Sequence, residues 1–208
     1  MVHADVRRPP SAHALLGRDH ESGFTLIELI VVTAILTLIS SLILVSNNRF
    51  GGRILLENLA YDVALSIREA QVFGISVRQF GAGNFGAGYG VQFTRVEEGG
   101  EPSTTFVLFA DAVSANGIYD QGEIVGSPYL MERGFHVADL CARGSGAEAE
   151  TCGLSRLDML FKRPEPDAYI RINGNLGSLQ ERGRIVLESP RGDRVSVVVE
   201  ITGQISVE

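Results

Sequence analysis

From Phe24 to Val45 the chain reads FTLIELIVVTAILTLISSLILV, an apolar run interrupted by one charged side chain, Glu28. As a helix these 22 residues would extend roughly 33 Å, against about 30 Å for the hydrocarbon core of a bilayer, and no Pro or Gly breaks them. The pattern predicts a membrane span. A secretory signal fits less well, because its apolar region is shorter and ends in a small-residue cleavage site. This run ends in Ser46-Asn47-Asn48-Arg49-Phe50. The pair Arg7-Arg8 is followed by Pro9-Pro10 and lies too far before the run to read as a twin-arginine signal.

After Gly51-Gly52 the period changes. Over Ile54 to Phe73 the residues Leu56, Leu59, Val63, Ile67 and Ala70 recur at steps of three and four, with Glu57, Asp62, Arg68 and Glu69 largely off that stripe. This predicts an amphipathic helix that continues the span, with the Gly pair as a kink or melting point. From Gly74 onward short strands are punctuated by Gly: Ile75 to Phe80, Tyr89 to Arg95, Thr105 to Ala110, Phe135 to Leu140, Asp158 to Phe161 and Ala168 to Ile172. Arg184 to Glu188 and Arg194 to Ile201 flank a turn at Ser189-Pro190-Arg191-Gly192-Asp193, and Gln204 to Val207 closes the series. Val195, Val197 and Val199 alternate with Ser196, Val198 and Glu200, so one face of that strand is expected to be buried and the other partly polar.

Composition narrows the function classes. A net charge of −7 with no basic run argues against a protein whose main work is gripping nucleic acid. Three of the four histidines, His3, His13 and His20, precede the span, which leaves His136 as the one imidazole of the body and excludes a multi-His metal site there. Cys141 and Cys152 are the only cysteines. If their domain lies outside the cytoplasmic membrane they can pair, and closing so short a loop would stabilise the fold by about 2–3 kcal/mol in the chain-entropy picture.

Glu28 asks for an explanation, because a carboxylate inside a bilayer costs on the order of 2–3 kcal/mol even on insertion scales. One answer is snorkelling to the interface. The other is a cation at the same depth, which a cut before Phe24 would create, since a new α-amino group titrates near pH ~8. The stretch Gly23-Phe24-Thr25-Leu26-Ile27-Glu28 resembles the class III signal of type IV prepilins and type II secretion pseudopilins. The resemblance implies that a prepilin peptidase on the cytoplasmic side cuts between Gly23 and Phe24 and methylates the new N-terminal Phe. Removing residues 1–23 as leader leaves 185 of 208 residues. It also implies that Glu28 neutralises the amine of a neighbouring subunit during assembly. The leader departs from the family's usual positive charge, since Arg7, Arg8 and Arg18 are balanced by Asp5, Asp19 and Glu21. Orientation by the positive-inside rule is correspondingly weak, with Arg49 and Arg53 just after the span.

By the same resemblance the fold is α+β and type IV pilin-like: one long N-terminal helix, transmembrane over 24–45 and amphipathic over 46–73, packed on an antiparallel β-sheet domain over 74–208. Arg68-Glu69-Ala70-Gln71, Tyr89-Gly90-Val91 and the terminal strands are similar to the group containing minor pseudopilin H and the fimbrial T proteins. The implied protein is a structural subunit, not an enzyme, and a minor one, of a type IV pilus or a type II secretion pseudopilus. Its implied partners are the prepilin peptidase, other pilin or pseudopilin subunits, an inner-membrane assembly platform and membrane lipid. The implied location is the bacterial inner membrane, N-terminus cytoplasmic and β domain outside, and then the filament.

Other motifs carry competing readings. Gly81-Ala82-Gly83-Asn84-Phe85-Gly86 spells G-x-G-x-x-G but opens no helix, so it reads as a loop rather than a nucleotide site. Arg191-Gly192-Asp193 spells an adhesion tripeptide where a hairpin needs turn residues, and reads as a turn. Asp111, Asn116, Asp120 and Glu123 surround Gly117 and resemble the calcium loops of some secretion pseudopilins. Val113 and Ala115 stand where an EF-hand places its second and third ligands, so a polar turn is the stronger reading and a weak structural calcium the other; no other cofactor is expected. Two further functions remain open: a DNA-binding competence pilin using Arg182, Arg184, Arg191 and Arg194, and a membrane-anchored surface enzyme using His136.

Overall fold

The computed structural model describes residues 23–76, 78–81, 85–97, 99–177 and 179–208, with the backbone alone at 45–51. The leader and the middle of the 81–86 glycine loop, residues 82–84, lie outside the described residues. The fold is α+β: helix α1 (Leu26–Ile75) followed by strands β1 (Gly88–Thr94), β2 (Thr105–Asp111), β3 (Tyr129–Leu130), β4 (His136–Gly144), β5 (Arg156–Phe161), β6 (Ala168–Ile172), β7 (Gln180–Glu188), β8 (Arg194–Glu200) and β9 (Ile205–Val207). The chain divides into two compact units at Val45–Ser46. The first is helical, and its stretch Leu26–Leu44, of mean hydropathy 2.5 and with nothing buried, is long and apolar enough to cross a membrane.

In the second unit the helix lies on one curled antiparallel sheet. The strand order is β3-β2-β1-β5-β6-β7-β8-β9, with β4 also on β7. Strand β7 meets β6 only through Ile170↔Gln180 and carries β4 and β8 along the rest of its length. The helical period sets the contact: Leu56, Ala60, Val63, Ile67 and Ala70 are fully buried against Val91, Phe93, Leu157, Met159, Phe161, Ile185, Leu187, Val197 and Val199. Leu59 is only partly buried, and Ala60 takes the central position assigned to it by periodicity. In β5 the period of two sends Leu157, Met159 and Phe161 to this core and leaves Arg156 and Asp158 on the other face.

Two expectations need correction. The backbone stays helical through Gly51-Gly52, so no break interrupts α1 there. No strand forms over Ile75 to Phe80 among the described residues, because the helix runs on to Ile75, and Val77 lies outside them. The helix end lies close to β5: a Cβ on Gly74 would sit 2.3 Å from the Phe161 carbonyl oxygen, so only glycine lets the helix come this near. In β8, Val197 and Val199 are buried on one face, and on the other Val198 is buried between half-buried Ser196 and Glu200, in line with the expected alternation.

Strand β3 escapes sequence patterning because it is two residues long. It exists through packing: the Tyr129 ring stacks on Phe106 at 4.9 Å, Phe106 stacks on Phe93 at 5.2 Å, and the Tyr129 hydroxyl donates to Glu69 of α1 at 3.4 Å. At the other end of the domain, Gln71 ties α1 to two loops. Its buried amide donates to the carbonyls of Pro166 at 2.9 Å and Gly203 at 3.0 Å, while its oxygen accepts from Arg68. The Arg68–Gln71 segment singled out by resemblance therefore has a structural task.

Candidate functional site

The N-terminal segment is arranged as a capped helix start. Glu28 N–H donates to the Thr25 hydroxyl at 3.3 Å, and Leu29 N–H donates to the Thr25 carbonyl at 3.1 Å, which closes the first helical turn. The Thr25 hydroxyl in turn lies 3.5 Å from a Glu28 carboxylate oxygen. Thr25 and Glu28 thus occupy the N-cap and third helical position of a capping-box sequence, a role the reading of the chain missed although Thr-x-x-Glu ahead of an apolar run signals it. Glu28 gains twice from this position. The cap satisfies its amide, and its carboxylate lies at the positive end of the helix dipole, worth about 0.3–1 kcal/mol. Phe24 is 83% exposed just before the cap, and Gly23 has nothing within 4 Å of where a Cβ would be.

The 111–123 loop brings Asp111, Asn116, Asp120 and Glu123 together, but around backbone donors. Asp111 accepts from the amides of Asn116 at 2.9 Å and Gly117 at 3.1 Å. Glu123, fully buried, accepts at one oxygen from Ala112 (3.0 Å) and Val113 (2.8 Å) and at the other from Asp120 (2.9 Å). The Asn116 side-chain amide donates to Asp120 at 2.8 Å. Calcium takes six to eight oxygens turned towards one point. Here the oxygens of Asp111 and Glu123 take backbone N–H groups as partners. Burial pushes the Asp111 carboxyl up, the Gly117 amide draws it back, and the Glu123 charge acts with burial.

Beneath this loop lies a buried ion pair that the sequence did not announce. Arg156 meets Asp158 through Nε and Nη2, each at 2.7 Å, while the Tyr119 amide donates to Asp158 at 3.0 Å and Arg156 donates to the Tyr119 carbonyl at 2.7 Å. Burial pushes the Asp158 carboxyl up, against the opposing pull of Arg156.

Cys141 and Cys152 form a disulfide, joining β4 to the segment that bridges back through Ala142↔Thr151. This loop carries Glu150 to the arginines proposed for DNA. Arg182 pairs with Glu150 (3.3 Å), Glu200 (3.2 Å) and Glu208 (3.1 Å), and Arg184 pairs with Glu150 (2.9 Å) and Glu208 (3.1 Å). Glu150 raises the Arg184 pKa further, and Arg194 pairs with Glu188 at 2.5 Å. A phosphate would have to displace these carboxylates, so the cluster does not present the open basic surface that backbone binding needs. Arg191-Gly192-Asp193 lies in the β7–β8 turn, closed by Gly192 N–H to the Ser189 carbonyl at 2.9 Å, with Gly192 at φ 87°. His136 places Nδ1 3.3 Å from the Gly134 carbonyl, a backbone partner rather than the Asp or Ser that nucleophilic chemistry requires.

Residues 18–44 match the prokaryotic N-terminal methylation motif. No curated protein and no solved structure matches the chain. The motif covers Gly23, Phe24, the Thr25 cap and Glu28, and it implies processing by a prepilin peptidase, membrane anchoring and assembly with other pilins. The chain therefore carries the processing signal of type IV pilin-like subunits, which are structural, at the head of an apolar helix that leads into an antiparallel β domain.

Proposed function

We propose that this protein is a minor structural subunit of a type IV pilus or type II secretion pseudopilus, cut between Gly23 and Phe24, methylated at Phe24 and assembled through its N-terminal helix. The observation that carries the reading is the coincidence of the methylation motif with a capped, fully exposed apolar helix bearing one carboxylate, Glu28. The amine released at Phe24 supplies the cation that a lipid-embedded Glu28 needs, and a neighbouring subunit presents it at matching depth. The β domain, outside the membrane, keeps its disulfide in an oxidising compartment. The test is the mass of the N-terminal peptide from membranes with and without active prepilin peptidase. A methylated Phe24 that appears only with the enzyme is expected, whereas an intact leader in both samples would leave a plain anchor.

The 111–123 loop is proposed to hold its shape without an ion, its carboxylates being bound by their own backbone amides. Millimolar calcium is accordingly expected to leave the thermal transition of the full-length protein in detergent within about 1 °C of its value in chelator. Calcium bound to the native state alone at 100 times its Kd would add about 2.7 kcal/mol, a shift of several degrees, and such a shift would refute the proposal.

A further inference from the structure

The chain holds two Asn-Gly dipeptides, Asn116-Gly117 and Asn173-Gly174, and the fold treats them in opposite ways. Asparagine is a thermolabile residue, and a following glycine has no side chain to shield its nitrogen from the neighbouring amide carbon. In the 111–123 loop the Ile118 N–H donates to Asn116 Oδ1 at 3.0 Å, a turn that folds the side-chain carbonyl back over the Gly117 nitrogen. The Gly117 N–H donates to Asp111 Oδ2 at 3.1 Å, and Asn116 Nδ2 donates to Asp120 Oδ2 at 2.8 Å. Arg171 packs so closely that a Cβ on Gly117 would meet its Nε at 2.8 Å, and that Nε is buried with no hydrogen-bond partner among the described residues. Asn173 shows the opposite arrangement. Its φ of 50° is left-handed, which turns the Gly174 nitrogen away from Cβ. Its Oδ1 is held by Ser155 N–H and Oγ, both at 2.9 Å, and by Arg156 N–H at 3.3 Å. No carboxylate meets the Gly174 N–H among the described residues.

We propose that Asn116-Gly117 is a self-modification site, at which the folded loop converts asparagine through a cyclic imide to aspartate or isoaspartate. Each contact around Asn116 meets a requirement of one reaction, attack of the Gly117 nitrogen on Asn116 Cγ. Asp111 is placed to take the proton from that nitrogen, and burial beside Glu123 raises its affinity for a proton. The Arg171 guanidinium stabilises the negative charge left on the nitrogen. As the N–Cγ bond forms, the carbonyl electron pair moves onto Oδ1, where the Ile118 N–H stabilises it. The Cγ–Nδ2 bond then breaks, the proton held by Asp111 passes to Nδ2, and ammonia leaves behind a five-membered imide. Water opens the imide at either carbonyl. The net change is asparagine plus water to acid plus ammonia, with nothing oxidised or reduced. The product sets a carboxylate against Asp120 where an amide had donated, and like charges there loosen the loop.

The inference is independent of the filament reading, because it concerns the β domain alone. The test incubates the full-length protein in detergent at neutral pH, in water carrying heavy oxygen, and follows both asparagine peptides by mass and retention. Conversion at Asn116 is expected to run at least about tenfold ahead of Asn173, well within what a positioned base contributes. In denaturant, where both dipeptides lose their surroundings, the two rates are expected to converge. Entry of heavy oxygen together with a resolved isoaspartate peak identifies the imide route. Asp111→Asn is expected to slow Asn116 at least about tenfold and to leave Asn173 unchanged. Since that variant also alters a buried anchor of the loop, the ratio of native to denatured rates in the unmodified chain decides independently. Equal rates at the two sites in the folded chain, a native rate at Asn116 no higher than the denatured one, aspartate without isoaspartate, or a rate indifferent to Asp111→Asn would overturn the proposal.

Discussion

Asp158→Ala is expected to destabilise the β domain by about 3 kcal/mol. Breaking one side of a buried ion pair costs about 3–5 kcal/mol, because the surviving charge stays desolvated and unmatched. The low end applies because the Arg156 side chain keeps 26% of its area in water while that of Asp158 keeps none. The loss also frees the Tyr119 amide, so the 111–123 loop loses its anchor to β5. The pair is expensive to bury in the first place, as the upward push on Asp158 shows. Replacing both members, Arg156→Met with Asp158→Leu, is therefore expected to recover most of the stability while leaving the loop more mobile. Denaturant unfolding of the full-length protein in detergent, followed by far-ultraviolet circular dichroism, measures both. A single-variant loss below about 1 kcal/mol would mean that solvent reaches Arg156 and that the pair does not anchor the loop.

What could be read from the sequence, and what could not, follows from the range of the interactions involved. The apolar run, the Leu56–Ala70 stripe and the strands β1, β2 and β6 are set by local periodicity, which one sequence displays. Strand β3 depends on a partner distant along the chain, the Phe106 ring, and the close approach of Gly74 to the Phe161 carbonyl is likewise non-local, so no local pattern marks either. Nothing local marks Arg156 and Asp158 as a pair, because every second residue of an ordinary strand faces water. The pair is buried because the 111–123 loop folds over that face. In that loop the acidic residues were visible as a cluster, but not the direction of the backbone amides that fill their oxygens. The cluster of arginines near the end of the chain was legible as charge, whereas its neutralisation by Glu150 requires the disulfide loop to come back across β7. Thr25 is the opposite case. Its cap is local, and the Thr-x-x-Glu spacing was available without any structure.

Glu28→Gln is expected to leave cleavage and methylation at Phe24 intact while lowering assembly by at least about tenfold. Glutamine completes the same capping box, so the helix start that a peptidase meets is preserved. It is also cheaper to hold in lipid, since the charge that costs on the order of 2–3 kcal/mol is gone. A defect in assembly therefore cannot arise from poor insertion or a frayed helix. It would report the loss of an attraction between the carboxylate and the amine at Phe24 of a neighbour, for which about 1.4 kcal/mol already corresponds to tenfold in an equilibrium. Thr25→Ala supplies the converse: loss of the cap, about 1 kcal/mol of helix stability, with the Glu28 charge retained and assembly largely preserved. Both variants are read by the mass of the N-terminal peptide and by the fraction of protein sedimenting as filament. Should Glu28→Gln sediment like the unmodified chain, Glu28 acts only as a cap that snorkels to the interface, and the cation that makes assembly favourable must be sought on another side chain.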